Sequence, residues 1–248
     1  MGVKRTNHLR LTEPWRIFRI MGEFVEGFDE LSDVTNAVAI FGSSKATRAD
    51  VYYRRAEEIA KALVKAGYSV ITGAGPGVME AANKGATHAN GESIGLNIDI
   101  PILQQPNRYV RRLINFNFFF IRRVMFVKYS KAFVVMPGGF GTLDELSEIV
   151  TLIQTKKIDP IPVILVGRKF WQGLLTWMED EVKTRRGYLD PQDLELFTVR
   201  ETPREVVEAI QAFYRKDRAA RLRAARGQAP ANAALSSRRP ASGRAGRR

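Results

Sequence analysis

The feature that most restricts the fold of this chain is a repeated unit. A short, unbroken apolar run stops at a glycine- or proline-rich turn, and the turn leads into a helical pattern. The run 37–41 ends at Gly42-Ser43-Ser44, the run 68–72 at Gly73-Ala-Gly75-Pro-Gly77, and the run 132–136 at Pro137-Gly138-Gly139-Phe-Gly141-Thr142. Further strands are expected at 93–98, 113–116, 161–166 and 197–199, with helices over 50–65, 78–89, 118–129, 140–156, 170–183 and 203–215. Strands that are apolar throughout have no face to offer water. They predict a parallel sheet flanked by helices on both faces, a Rossmann-like, doubly wound α/β fold. In such sheets ligands bind beyond the C-terminal strand ends, where the chain crosses from one side to the other. The strand-ending turns are therefore where a site is expected.

A helix over 12–31 precedes the first strand, with Thr12 as its cap and Ile17, Ile20, Phe24 and Phe28 at helical spacing. The last helix opens on Thr202-Pro-Arg-Glu205, a capping box with proline at the first helical position. Beyond 217 the chain is Ala, Arg, Pro, Gly and Ser with little to bury. The expected organisation is a helical extension over 1–34, one Rossmann-like domain over 35–217, and a disordered basic tail over 218–248.

Net charge is +13, but Lys216 to Arg248 holds ten basic residues and one acid, so this segment supplies +9 and the other 215 residues +4. Basicity belongs to the tail, and the body needs no nucleic acid to explain it; only 218–248 offers a route to one. There is no cysteine, which removes disulfides, thiolate metal sites and a cysteine nucleophile and fits a reducing, cytoplasmic setting. The histidines are His8 and His88, too few for a histidine-built metal site, and no metal is expected. His88, late in its helix, suits a partner for the helix dipole. No stretch approaches the roughly 18 apolar residues of a membrane span. Gly2 and Thr6 match the short N-myristoylation pattern, which chance also produces.

The turn at Gly138, Gly139, Gly141 and Thr142 carries the most chemistry. Glycines between a buried strand and a helix let backbone N–H groups converge on an anion at the positive end of the helix dipole. Glu145 sits one turn into that helix. Its carboxylate can face the same pocket, or it can reach back to Thr142 as a capping box. Gly75, Gly77 and Glu80 belong to a second strand-to-helix turn. With Asp99 near the next strand end, that turn suggests a dinucleotide site, although the spacing departs from G-x-G-x-x-G. Phe119, Arg122, Arg123 and Phe126 share one helical face, where the arginines either fork onto a phosphate or snorkel to water. Gly42, Ser43 and Ser44 offer hydroxyls to a ligand or cap the next helix.

These residues resemble the LONELY GUY (LOG) family of cytokinin riboside 5′-monophosphate phosphoribohydrolases, often labelled lysine decarboxylases. Pro137 to Glu145 matches the PGGxGTxxE signature, and the likeness extends to Gly42-Ser-Ser44, to Gly73-Ala-Gly-Pro-Gly-Val-Met-Glu80 and to Arg122-Arg123-x-Met125. The resemblance implies a homodimer or larger homo-oligomer that binds AMP-like nucleotides and releases free base and ribose 5-phosphate without a cofactor. It further implies Arg122 and Glu145 as the catalytic pair and the glycine turn as the phosphate cradle. Phe120 stands where many members have histidine. No lysine is marked as a pyridoxal phosphate carrier. The competing reading is a nucleotide carrier on the same fold, without hydrolysis.

Overall fold

A computed structural model of the chain describes residues 8–100 and 105–227. Seven strands form one parallel sheet in the order β4-β3-β2-β1-β5-β6-β7. They are β1 (Ala37–Phe41), β2 (Ser69–Thr72), β3 (Ser93–Ile98), β4 (Arg112–Phe116), β5 (Ser130–Val135), β6 (Val163–Val166) and β7 (Thr198–Arg200). Every residue of β1, β3 and β6 is buried, as the unbroken apolar runs require when helices cover both faces. The helices are α1 (His8–Glu30), α2 (Val51–Lys65), α3 (Val78–His88), α4 (Phe119–Tyr129), α5 (Phe140–Gln154), α6 (Arg168–Trp177) and α7 (Pro203–Gly227).

The chain builds outward through β2, β3 and β4, then returns to pair β5 on the other side of β1. That reversal makes β1 and β5 the switch point, and their C-terminal turns lie side by side. Ser43 N donates to Pro137 O at 3.0 Å, and Met136 N to Phe41 O at 2.8 Å. The sheet thus aims the turn after β1 and the glycine turn after β5 at one place.

Side-chain caps set the starts of two helices. Asp50 caps α2 by accepting from Tyr52 N at 2.8 Å. The capping box at α7 is formed, with Glu205 N donating to Thr202 Oγ1 and Thr202 N to Glu205 Oε2, both at 3.2 Å. Three expectations need correction. The described part of α1 already runs from His8, so Thr12 lies within the helix rather than at its start. β6 starts at Val163 rather than 161, because Pro162 has no N–H for the ladder, although its carbonyl accepts from Phe133 N at 2.9 Å. α7 runs past Arg215 to Gly227, as the Ala- and Arg-rich sequence there favours.

The single helix expected over 170–183 is α6 followed by a π-helical stretch, Met178–Arg185, and an unforeseen 3₁₀ turn, Pro191–Glu195, precedes β7. The chain divides into two compact units, 1–210 and 211–248; the described part of the second is the continuation of α7. Gly2 and the tail beyond 227 lie outside the described residues. Along α5, Leu146, Ile149 and Ile153 are core, while Val150 is half-buried. No described helix is long and apolar enough to cross a membrane.

Candidate active site

A cavity of about 470 Å³ opens at the switch point. The turn after β1 contributes Gly42, Ser43, Ser44 and Lys45, the start of α5 contributes Gly139, Phe140, Gly141, Thr142 and Glu145, and α4 contributes Phe119, Arg122 and Phe126. Gly73, Met79, Ile98 and Ile100 close the remaining side. One end is therefore backbone amide, hydroxyl and cation, and the other is largely apolar.

Glu145 does not cap its own helix. The N-cap of α5 is Gly139, Thr142 is the third helical residue, and Thr142 N donates to Gly139 O at 3.0 Å. The Glu145 carboxylate instead meets Arg122, whose Nη2 donates to Oε1 at 3.3 Å. Glu145 is buried and Arg122 nearly so. Burial pushes the Glu145 carboxyl up to about 7, against the downward pull of the Arg122 and Arg123 cations. Burial likewise presses the Arg122 guanidinium below its usual value. Arg122 lies over two rings, with Cζ 5.2 Å from the Phe119 centroid and 5.7 Å from that of Phe126, and its buried Nε has no hydrogen-bond partner. A cation held by rings and one long hydrogen bond retains donors for a ligand.

The other residues singled out in the sequence stand behind the cavity rather than in its wall. Gly138 lets the turn close: a Cβ there would sit 2.0 Å from Thr142 Oγ1 and 3.0 Å from Ser43 N. Gly77, at φ +70°, would carry a Cβ 2.3 Å from Ser43 O, the carbonyl that accepts from Val78 N at 2.9 Å. Gly75 O accepts from Asn107 Nδ2 at 3.0 Å. Glu80 accepts from Arg48 at 3.0 Å and from the Tyr53 hydroxyl at 3.1 Å. Arg123 turns away to Asp144 and to Glu148. Asp99 does not line the cavity, and His88 packs edge-on against Tyr109 at the end of α3.

Sequence reasoning missed Lys45, a second cation in the wall, though it directly follows the Ser43-Ser44 pair. It also missed Met79, Ile98 and Ile100, which read as ordinary core. Among the described residues no group of three or more His, Asp or Glu is placed to hold a metal ion.

A family profile described as "Possible lysine decarboxylase" matches residues 79–210, more than half of the chain. The chain belongs to this family, the LOG family. A cytokinin riboside 5′-monophosphate phosphoribohydrolase of Arabidopsis thaliana is 24% identical over 181 residues, which cover 71% of this chain and 77% of that protein. Another from the same plant is 29% identical over 92 residues, covering 37% of this chain and less than half, 42%, of that relative.

Solved structures share the fold. The molybdenum cofactor binding protein of Rippkaea orientalis superposes with a TM-score of 0.55 at 20% identity, over 73% of this chain and 98% of that one. The Moco carrier protein of Chlamydomonas reinhardtii gives 0.52 at 21% identity, over 73% and 99%. At these identities the LOG fold is common ground among proteins whose names state different tasks.

Proposed function

We propose that this LOG-family chain is a cytoplasmic, cofactor-free hydrolase that cleaves the N-glycosidic bond of a nucleoside 5′-monophosphate, AMP or a cytokinin riboside 5′-monophosphate, giving free base and ribose 5-phosphate. The observation that carries the reading is the pairing of buried Glu145 with Arg122 in the same cavity as the first turn of α5. First-turn amides of a helix have no intrahelical acceptor, so Gly139, Phe140 and Gly141 present donors and a positive dipole end to an anion. Gly138 lets that turn close, Gly77 holds the Ser43 carbonyl in place, and Ser43, Ser44, Thr142 and Lys45 add hydroxyls and a cation.

With the phosphate fixed there, the anomeric carbon stands one helical turn away, beside Glu145. Breaking the C1′–N bond builds positive charge on the ribose, which a carboxylate stabilises. The ionised Glu145 faces that charge and takes a proton from the attacking water as the new C1′–O bond forms. The departing base nitrogen takes its proton from solvent. Arg122 neutralises the carboxylate between turnovers and directs its remaining donors at ribose oxygens.

Glu145→Gln is expected to lower the rate of base release by about a hundredfold or more while the protein stays folded. Wild-type turnover in that variant would refute the reading. A second reading, a nucleotide carrier, has one observation in its favour: among the described residues Glu145 is the single carboxylate in the cavity wall, so no second acid meets the leaving base. A carrier binds AMP and releases no adenine, which chromatography distinguishes directly.

The reading includes a second copy of the chain. On α1, Phe18, Met21, Val25 and Phe28 are exposed at heptad spacing, the pattern of a helix that buries its seam against another helix.

A further inference from the structure

Helix α4 carries Arg122 but has no cap of its own, since its N-cap residue is Phe118 and no side chain of the helix start bonds back. The donors that open a helix need acceptors from somewhere. Here α1 supplies one to the N-cap amide and to the amide before it. Glu23 is buried, and its Oε1 accepts from Asn117 N at 2.9 Å and from Phe118 N at 3.1 Å, while its Oε2 accepts from Asn117 Nδ2 at 3.1 Å. A buried carboxylate is costly unless such donors surround it, and at a helix N-terminus it also meets the positive dipole end. The far end of α4 is held by the same helix: the Tyr129 hydroxyl donates to Phe28 O at 3.2 Å, and Lys128 Nζ lies 4.9 Å from the Phe28 ring centroid.

Arg122 is one turn from the Glu23 contact. Its guanidinium reaches Glu145 through a 3.3 Å bond, its Nε has no partner, and the two rings that hold it, Phe119 and Phe126, belong to α4 itself and move with it. Its position follows from where the first turn of α4 sits. We propose that Glu23 is a positioning residue for Arg122, acting from α1, a helix outside the 79–210 stretch that matches the family. The inference rests on Arg122 and Glu145 being the catalytic pair, but its test has an arm that needs no turnover. Glu145 is surrounded by Arg122 and Arg123, which favour its ionised form, and by Asp144 and Glu148, which oppose it. If α4 loses its anchor and Arg122 retreats, the balance tips toward the acids and the carboxyl holds its proton to higher pH.

The experiment compares full-length wild type, Glu23→Ala and Glu23→Gln. Gln keeps one acceptor oxygen and the shape of the side chain. The first arm measures kcat and KM for base release from AMP. Glu23→Ala is expected to lower kcat by about tenfold or more with KM little changed, because the phosphate cradle on α5 is untouched, and Glu23→Gln to recover part of it. The second arm follows the Glu145 carboxyl by ¹³C NMR across a pH titration, with an upward shift of about half a pH unit or more expected in Glu23→Ala.

A folded Glu23→Ala with wild-type kcat and an unmoved Glu145 titration overturns the inference. If wild type releases no base, the hydrolase reading fails, and the titration alone then decides the positioning role. If Glu23→Ala does not fold, Glu23→Gln is read in its place, with smaller shifts in the same directions supporting the role and none refuting it.

Discussion

Arg122 and Arg123 show what a residue-level reading of the sequence can and cannot resolve. Both lie on the face marked by Phe119 and Phe126, yet neighbours on a helix point about 100° apart. One therefore enters the cavity and the other pairs with Asp144 and Glu148. Their spacing could place the pair near a site but could not say which one faces it. Glu145 was ambiguous for a different reason, since a capping box and a site carboxylate share the same spacing. The backbone decides between them by starting α5 at Phe140, which leaves Thr142 inside the helix.

Burial of Glu145 has a pH consequence with a definite sign. Its carboxyl is raised from 4.5 to about 7 on folding, so the folded state holds this proton more tightly than the unfolded chain. The stability it contributes is full below 4.5 and is lost as pH rises through about 7. The melting temperature of Glu145→Gln minus that of wild type should therefore grow between these two pH values. A difference that stays flat with pH would contradict the burial argument. Activity, which needs the ionised form, should climb across the same interval.

At the scale of elements, unbroken apolar runs made the central strands legible, while β4 and β7, which are mixed in sequence and partly exposed, rested on shorter apolar pieces; the turn chemistry identified the strand ends that matter. Element boundaries were less legible, because they depend on which donors find partners, as Pro162 shows. The polar support of the turn after β2 was not legible at all. Thr72, Asn83, Ser93 and Asn107 read as scattered polar residues, but they form one network. Asn83 Oδ1 accepts from Thr72 Oγ1 at 2.6 Å and from Asn107 Nδ2 at 2.9 Å, and Asn83 Nδ2 donates to Ser93 Oγ at 2.9 Å.

Asn107 also ties down Ala74, which stands at φ +63°, a strained value for a residue with a Cβ. Asn83→Leu keeps the volume and strands several buried polar groups. It should cost about 3 kcal/mol in urea unfolding, and a loss below about 1 kcal/mol would show that the network is dispensable. Gly138→Ala tests the turn after β5. The added methyl has no room beside Thr142 and Ser43 N, so ribose 5-phosphate affinity should fall at least tenfold by calorimetry, an effect of about 1.4 kcal/mol. Unchanged affinity would remove Gly138 from the phosphate cradle.

For the whole molecule, the sheet order places two glycine-bearing turns at one switch point, and α1 braces the helix that supplies Arg122. The outer seam of α1 predicts self-association. Phe18→Glu combined with Val25→Glu should lower the mass seen by light scattering, and an unchanged mass would place the subunit contact elsewhere. On this reading the turn after β5 grips a 5′-phosphate and thereby sets the anomeric carbon against Glu145. Its most direct test is the ratio of kcat/KM for adenine release from AMP to that from adenosine. A ratio of about a thousand or more is expected, since remote phosphate binding supplies the positioning. Equal rates on the two substrates, or AMP binding with no adenine released, would contradict it.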